Sequence, residues 1–169
     1  MEILMDPLQS AVVSDTVLYF PRGGLGWLVR WTPTRVDSLP RPESLWPALG
    51  LEGEPDNSSD VVLEAVRSDG SGGLWVLGAM RILSEEEEMQ LVERAPQPGI
   101  ETMEFFKRAS AFVRNPVWDG FLVHVSDEGE VAASVVFDEY PFGFCGAGEF
   151  YTFDEDESGL IRVRIWAFE

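Results

Sequence analysis

The chain has one cysteine, Cys145, one histidine, His124, and one lysine, Lys107, in 169 residues. A lone cysteine excludes an intrachain disulfide and a cysteine-built zinc cluster. It also points to a reducing compartment. A lone histidine leaves no histidine-rich ligand set for a metal. No stretch approaches the roughly 20 apolar residues of a membrane helix. The opening residues MEILMDPLQS carry acids where a signal peptide needs bases. A cytoplasmic location is the expectation. Positive charge is scarce too: 12 bases stand against 30 acids, for a net charge of -18. Nucleic acid and anionic membranes would be repelled and are not expected as direct partners.

What is present describes a globular chain. Hydrophobic residues make up 45% and aromatics 12%, including six Trp and eleven Phe. Such a composition supports a core and not disorder. The length fits one domain over residues 1–169, since domains run about 100–200 residues. The acids are unevenly placed. Residues 126–169 hold 11 acids and 2 bases, a charge of -9 in 44 residues.

Read along the chain, the pattern is α+β, a mainly antiparallel sheet built of hairpins with two central helices packed on one face. Thr16 to Phe20 and Gly26 to Trp31 read as a hairpin, closed by Pro21-Arg22-Gly23-Gly24, with Trp27, Val29 and Trp31 on one face of the returning strand. Five prolines between 32 and 59 leave room for a short helix over Glu43 to Leu51, which Pro47 limits. Asp60 to Arg67 and Leu74 to Leu83 make a second hairpin. Ser84 followed by Glu87 has capping-box spacing and opens a helix over about 85–95. A second helix is expected over 100–114, with Met103, Phe106 and Ala109 on its apolar stripe and Asn115-Pro116 as its stop. Phe121 to Val125 and Val131 to Phe137 form a third hairpin. Residues 141–148 (PFGFCGAG) read as a glycine-rich connection before a fourth hairpin, Phe150 to Phe153 with Leu160 to Phe168.

Candidate chemistry is thin. Asp154-Glu155-Asp156-Glu157-Ser158-Gly159 begins like a calcium loop, but its twelfth position is Ile165, where a bidentate Glu is required. A hairpin turn carrying acids is the plainer reading. The run Gly143 to Gly148 fails as a phosphate cradle, because no helix start follows and Glu149 opposes an anion. Cys145 as a nucleophile needs a base, and only His124 is on offer; Glu149 would also raise a thiol pKa. Cys145 therefore reads as a small thiol in a turn. No cofactor, catalytic set or metal site is expected.

These features point to an acidic binding protein that neutralises a basic partner, such as an immunity protein or antitoxin. Its contact face would comprise Asp127, Glu128, Glu130, Asp138, Glu139, Glu149 and Asp154 to Glu157 (Asp154, Glu155, Asp156, Glu157). Trp166 would be an anchor, because it shares a strand face with Arg162 and Arg164. The plainer reading of those arginines is pairing with acids on the neighbouring strand. Alternatives are a DNA-mimic inhibitor, whose carboxylates would follow a phosphate-like spacing, and a small enzyme using Cys145.

Overall fold

The computed structural model describes residues 11–14, 17–21, 27–55, 60–95, 111–146, 148–156, 158 and 160–168, with backbone alone for 11–21. The chain is α+β with antiparallel sheets. Among the described residues, eleven strands and three helices are distributed over two compact units, each assembled from two separate stretches of sequence. The first unit comprises 1–78 and 121–136, and the second comprises 79–120 and 137–169. The chain passes from one to the other at 78–79, 120–121 and 136–137.

The first unit opens with a four-stranded meander: β1 (Ala11–Ser14), β2 (Val17–Pro21), β3 (Leu28–Thr32) and β4 (Arg35–Ser38), in sequential order. Each pair is antiparallel, with Leu18 opposite Trp31 and Val29 opposite Ser38. The first expected hairpin is thus β2–β3; its connection over 22–26 lies outside the described residues. Of Trp27, Val29 and Trp31, which alternation places on one face, Trp27 is buried and Trp31 is exposed, and the intervening Leu28 is buried more deeply than either. Arg30 and Arg35 both donate to Asp37, closing the β3–β4 edge. The proline-rich stretch yields a single turn, α1 (Leu45–Ala48), which buries Leu45 and Trp46. Arg41 lies over the Trp46 ring.

A second sheet has the order β5-β6-β7-β8: β5 (Val61–Ser68), β6 (Leu74–Arg81), β7 (Trp118–Val125) and β8 (Val131–Phe137). Its neighbours run antiparallel. The β5 and β6 strands close through Asp69 N–H to Gly73 O, and β7 and β8 through Ser126 N–H to Glu130 O. The expected second and third hairpins are both present. Strand β5 also lies alongside β1 and β2. Strand β7 is central, so both its faces are covered: Phe121, Leu122 and Val123 are all buried, not alternate residues alone. Gly78 gives way to the Phe121 ring, because a Cβ there would overlap it. Strand β8 is the edge and is exposed along most of its length.

In the second unit, α2 (Glu85–Arg94) starts as the capping box requires. Ser84 Oγ accepts from Glu87 N–H at 3.3 Å, and Ser84 N–H donates to Glu87 Oε2 at 2.9 Å. Arg81 binds Glu88 at 2.9 Å and lies over Trp118, which brings a buried glutamate into a satisfied pair. The helix expected over 100–114 falls outside the described residues as far as 110. From there α3 (Ala111–Val117) runs past Asn115-Pro116, where a stop was expected. Pro116 forfeits only its own backbone donor in a final turn, and Asn115 fixes that turn from outside. Its Nδ2 donates to Phe153 O at 2.7 Å, and its Oδ1 accepts from Tyr140 N–H at 3.0 Å. Helix α3 contacts both α2 and the third sheet.

The third sheet has the order β11-β10-β9, with β9 (Pro141–Gly146), β10 (Glu149–Glu155) and β11 (Ile161–Ala167). Strand β9 corrects the expectation of a glycine-rich connection. The run pairs with β10 through two register shifts, and Gly143 takes φ 152°, open to glycine, to make that possible. The fourth hairpin is β10–β11, paired without interruption from Glu149 opposite Ala167 to Glu155 opposite Ile161. No helix among the described residues is long and apolar enough to cross a membrane.

Candidate binding surface

The acids singled out from the sequence fall into three environments. Glu139 is not on the surface; it is 6% exposed in the second unit. It accepts from Thr152 Oγ1 and from the Arg164 guanidinium. Trp166 Nε1 donates to the same Thr152 Oγ1 at 3.1 Å, and Arg164 reaches Asp154 at 3.3 Å. Arg162 approaches Asp154 at 3.7 Å and Asp156 at 3.9 Å. Asp156 Oδ1 also accepts from Ser158 N–H at 2.9 Å and Leu160 N–H at 3.2 Å, and these turn bonds, led by that of the Ser158 hydroxyl, hold its carboxyl below the usual range. Glu155 accepts from Phe112 N–H at 3.5 Å. Within the calcium-like loop, Asp154 and Asp156 are therefore occupied by arginines and by the turn itself, and Glu157 lies outside the described residues. Among the described residues, no three His, Cys, Asp or Glu converge as a metal site.

Trp166 is 36% exposed. Its ring stacks on Phe150 at 6.2 Å and Phe137 at 6.1 Å. The face of β11 carrying Arg162, Arg164 and Trp166 is turned toward partners inside its own unit. The opposite face, Ile161, Val163 and Ile165, is left open, with Ile165 at 64% exposure. Across the register it continues into Phe153 and Tyr151 on β10.

Asp138 and Glu149 form the second group. Both are exposed in the second unit. Burial, with Asp138 as a neighbouring like charge, raises the carboxyl of Asp119 above its ordinary range.

Asp127, Glu128 and Glu130 form the third group, on the β7–β8 turn of the first unit. The turn is set by Gly129 at φ 85°, whose N–H donates to Ser126 O at 3.0 Å. All three carboxylates are exposed, and among the described residues none is paired with a base. Beside them opens a cleft of about 240 Å³. Trp27, Leu28, Leu39 and Leu74 line it, and the Ser126–Gly129 turn forms its lip. Trp27, Leu28 and Leu74 are buried and form the floor. Arg30 also reaches the cleft, with its Nη2 3.1 Å from Asp37 Oδ2.

A contact that the sequence reading left aside holds the other wall. His124 Nε2 lies 2.8 Å from Asp69 Oδ2, and the His124 ring stacks on Trp75 with centroids 4.5 Å apart. Asp69 also caps its own loop, accepting from Ser71 N–H at 2.7 Å. The bond to His124, foremost, holds the Asp69 carboxyl far below the usual range. Gly73 is what lets the chain through, because a Cβ there would stand 2.5 Å from Asp69 Oδ2 and 2.8 Å from Val125 O. The next residue back, Gly72 at φ 114°, comes against Asp127, whose Cβ would meet an added Cβ at 3.2 Å. The β5–β6 connection is thus clamped against the acidic turn. The spacing Asp69-x-x-x-Gly73 before a strand signals a capped loop, but nothing in the sequence links it to His124.

His124 and Cys145, the only thiol-and-base pair available, belong to different units. His124 is bound to Asp69, and Cys145 is exposed on β9. No family model, curated protein or solved structure matches the chain.

Proposed function

We propose that the protein is a cytoplasmic binding protein that docks a basic protein partner, in the manner of an immunity protein or antitoxin, through the β7–β8 turn. One observation carries this reading: Asp127, Glu128 and Glu130 are exposed and without a basic partner among the described residues, whereas Asp154, Asp156 and Glu139 are met by Arg162 and Arg164. Carboxylates already paired offer little to an incoming cation; unpaired ones keep their field. A net charge of -18 adds long-range attraction for a cationic surface, which speeds encounter and weakens as salt shortens the Debye length to about 8 Å at physiological ionic strength. The contact face therefore contracts from the eleven residues expected to the turn and its surroundings, without Asp154, Asp156 and Glu139, which arginines already meet.

The test is affinity purification from the native host at low and high salt, run with three baits. The wild type should retain a basic protein at low salt and release it at high salt. Asp127→Asn/Glu128→Gln/Glu130→Gln should lose it. Glu85→Gln/Glu86→Gln/Glu93→Gln removes the same charge from α2 and should keep it. Equal loss in both variants, or capture indifferent to salt, overturns the reading.

A further inference from the structure

We infer that β11 is a self-pairing edge, through which two copies of the chain join antiparallel about a two-fold axis at Ile165 once salt screens their charge. The edge lies wholly in the second unit and is independent of the docking turn.

The backbone comes first. Phe168 N–H donates to Gly148 O at 2.8 Å, and Asp156 N–H donates to Leu160 O at 3.2 Å. With the unbroken register between those two bonds, the even-numbered residues of β11 are the ones bonded to β10. Val163, Ile165 and Ala167 therefore turn their N–H and C=O outward, along the outer edge of the sheet. Every residue of the strand is exposed. Such an edge offers its backbone to another strand.

The side chains then select a second copy and its register. Outward residues must meet outward residues, so the axis passes through a residue and not between two. An axis at Val163 sets Arg162 opposite Arg164, and an axis at Arg164 sets that residue opposite itself. Like charges directly opposite each other are destabilising. An axis at Ile165 instead sets both arginines opposite rings: Arg164 across from Trp166 and Arg162 across from Phe168 of the other copy. On the apolar face it sets Ile165 against Ile165 and Val163 against Ala167. Axes nearer either end shorten the overlap. Ile165, at 64%, is the most exposed large hydrophobic residue among those described. The arginines are also met within their own copy, Arg164 by Glu139 and Asp154 and Arg162 by Asp154 and Asp156. The contact closes on itself and gives a dimer, not a filament. One strand pair is small beside a permanent interface, so the association is reversible. The charge of -18 on each copy opposes it at low ionic strength.

Sedimentation velocity of the purified chain is the test. It should be monomeric at about 0.01 M sodium chloride and dimeric at about 1 M, as the Debye length falls from about 30 to about 3 Å. Val163→Pro removes an outward N–H alone, a change that edge strands accept, and should stay monomeric throughout. Val163→Lys should do the same, and circular dichroism shows that each variant is folded. Cross-linking reads the register in a Cys145→Ser background. Ile165→Cys should join to itself under diamide, since paired Cα atoms stand about 5.5 Å apart, within disulfide reach. Val163→Cys should not, because its counterpart is displaced about 14 Å along the strand. A monomer at all salt concentrations, or a dimer that survives in both folded Val163 variants, overturns the self-pairing edge. A dimer that cross-links better through Val163→Cys, or through neither cysteine, overturns the axis at Ile165.

Discussion

His124 and Asp69 meet at 2.8 Å, 55 residues apart in sequence, and their bond sets where the β5–β6 connection lies against β7. Gly73 threads beneath them without room for a Cβ. Gly72, one residue earlier, is held against Asp127. The clamp is thus a support for the lip of the cleft, although neither residue lines it.

Asp69→Asn should therefore destabilise the protein by about 1.5–3 kcal/mol at neutral pH, the range for a hydrogen bond to a charged group. The pH dependence follows from the direction of the shift. Asp69 is held below its ordinary value in the folded state, chiefly by His124. Its contribution is full above the unfolded carboxyl pKa of about 3.9 and is lost as pH falls toward the folded value. Urea midpoints of wild type and Asp69→Asn should differ at pH 7 and converge below about pH 4. A gap that stays constant down to pH 2 would refute the assignment.

Gly73→Ala should be costlier than an ordinary surface substitution. The added methyl would lie 2.5 Å from Asp69 Oδ2 and 2.8 Å from the Val125 carbonyl, and the carbonyl is backbone that cannot swing aside. A loss of about 2 kcal/mol or more is expected, with a changed His124 ring environment in NMR spectra. Gly53→Ala, where nothing lies within 4 Å, is the control and should be near neutral.

Asp119 works in the opposite sense. Burial, reinforced by Asp138, raises its carboxyl above the ordinary value. The fold therefore favours the protonated form, and stability is lost as pH rises through the folded pKa. Asp119→Asn should stabilise the protein at pH 7 by less than about 1 kcal/mol. It should give no advantage at pH 3, where both forms are neutral. Thermal unfolding at the two pH values decides it.

The Glu139–Arg164 pair offers a double-mutant cycle. Glu139 is buried, so Arg164→Met leaves a carboxylate without its cation. Fully buried pairs lose about 3–5 kcal/mol on such a change. Arg164 is 51% exposed, so water replaces part of what it gives, and about 1–3 kcal/mol is expected. Glu139→Gln/Arg164→Met should recover much of that. Additive losses would show that the two side chains do not interact.

Much of the fold was readable from local signals. Period-two runs marked the four hairpins, and Ser84 with Glu87 marked the start of α2, because each is decided by neighbours in sequence. Strand β9 was missed because PFGFCG carries three features that usually mark turns: a proline and two glycines. Its pairing depends on bulges that β10 imposes from outside. The facing of β11 was legible in part: pairing of its arginines with acids on the neighbouring strand was the plainer reading, and Arg162 and Arg164 do meet Asp154 on β10. The reach of Arg164 to Glu139, and the stacking of Trp166 on Phe137, join β11 to residues before β9 and had no local signal. That Asp127, by contrast, has no arginine among the described residues is decided by the three-dimensional arrangement.

The bare outer strand β11 has a consequence for handling the protein. Its greasy side and its free backbone edge could template another chain, a liability that soluble proteins usually counter with charge or cover. Here the excess of carboxylates supplies the countermeasure, since two copies approaching each other both carry -18. Concentrated salt removes that barrier while strengthening apolar attraction, so turbidity should rise with sulfate concentration. Val163→Lys, which puts a charge in the middle of the strand, should suppress it.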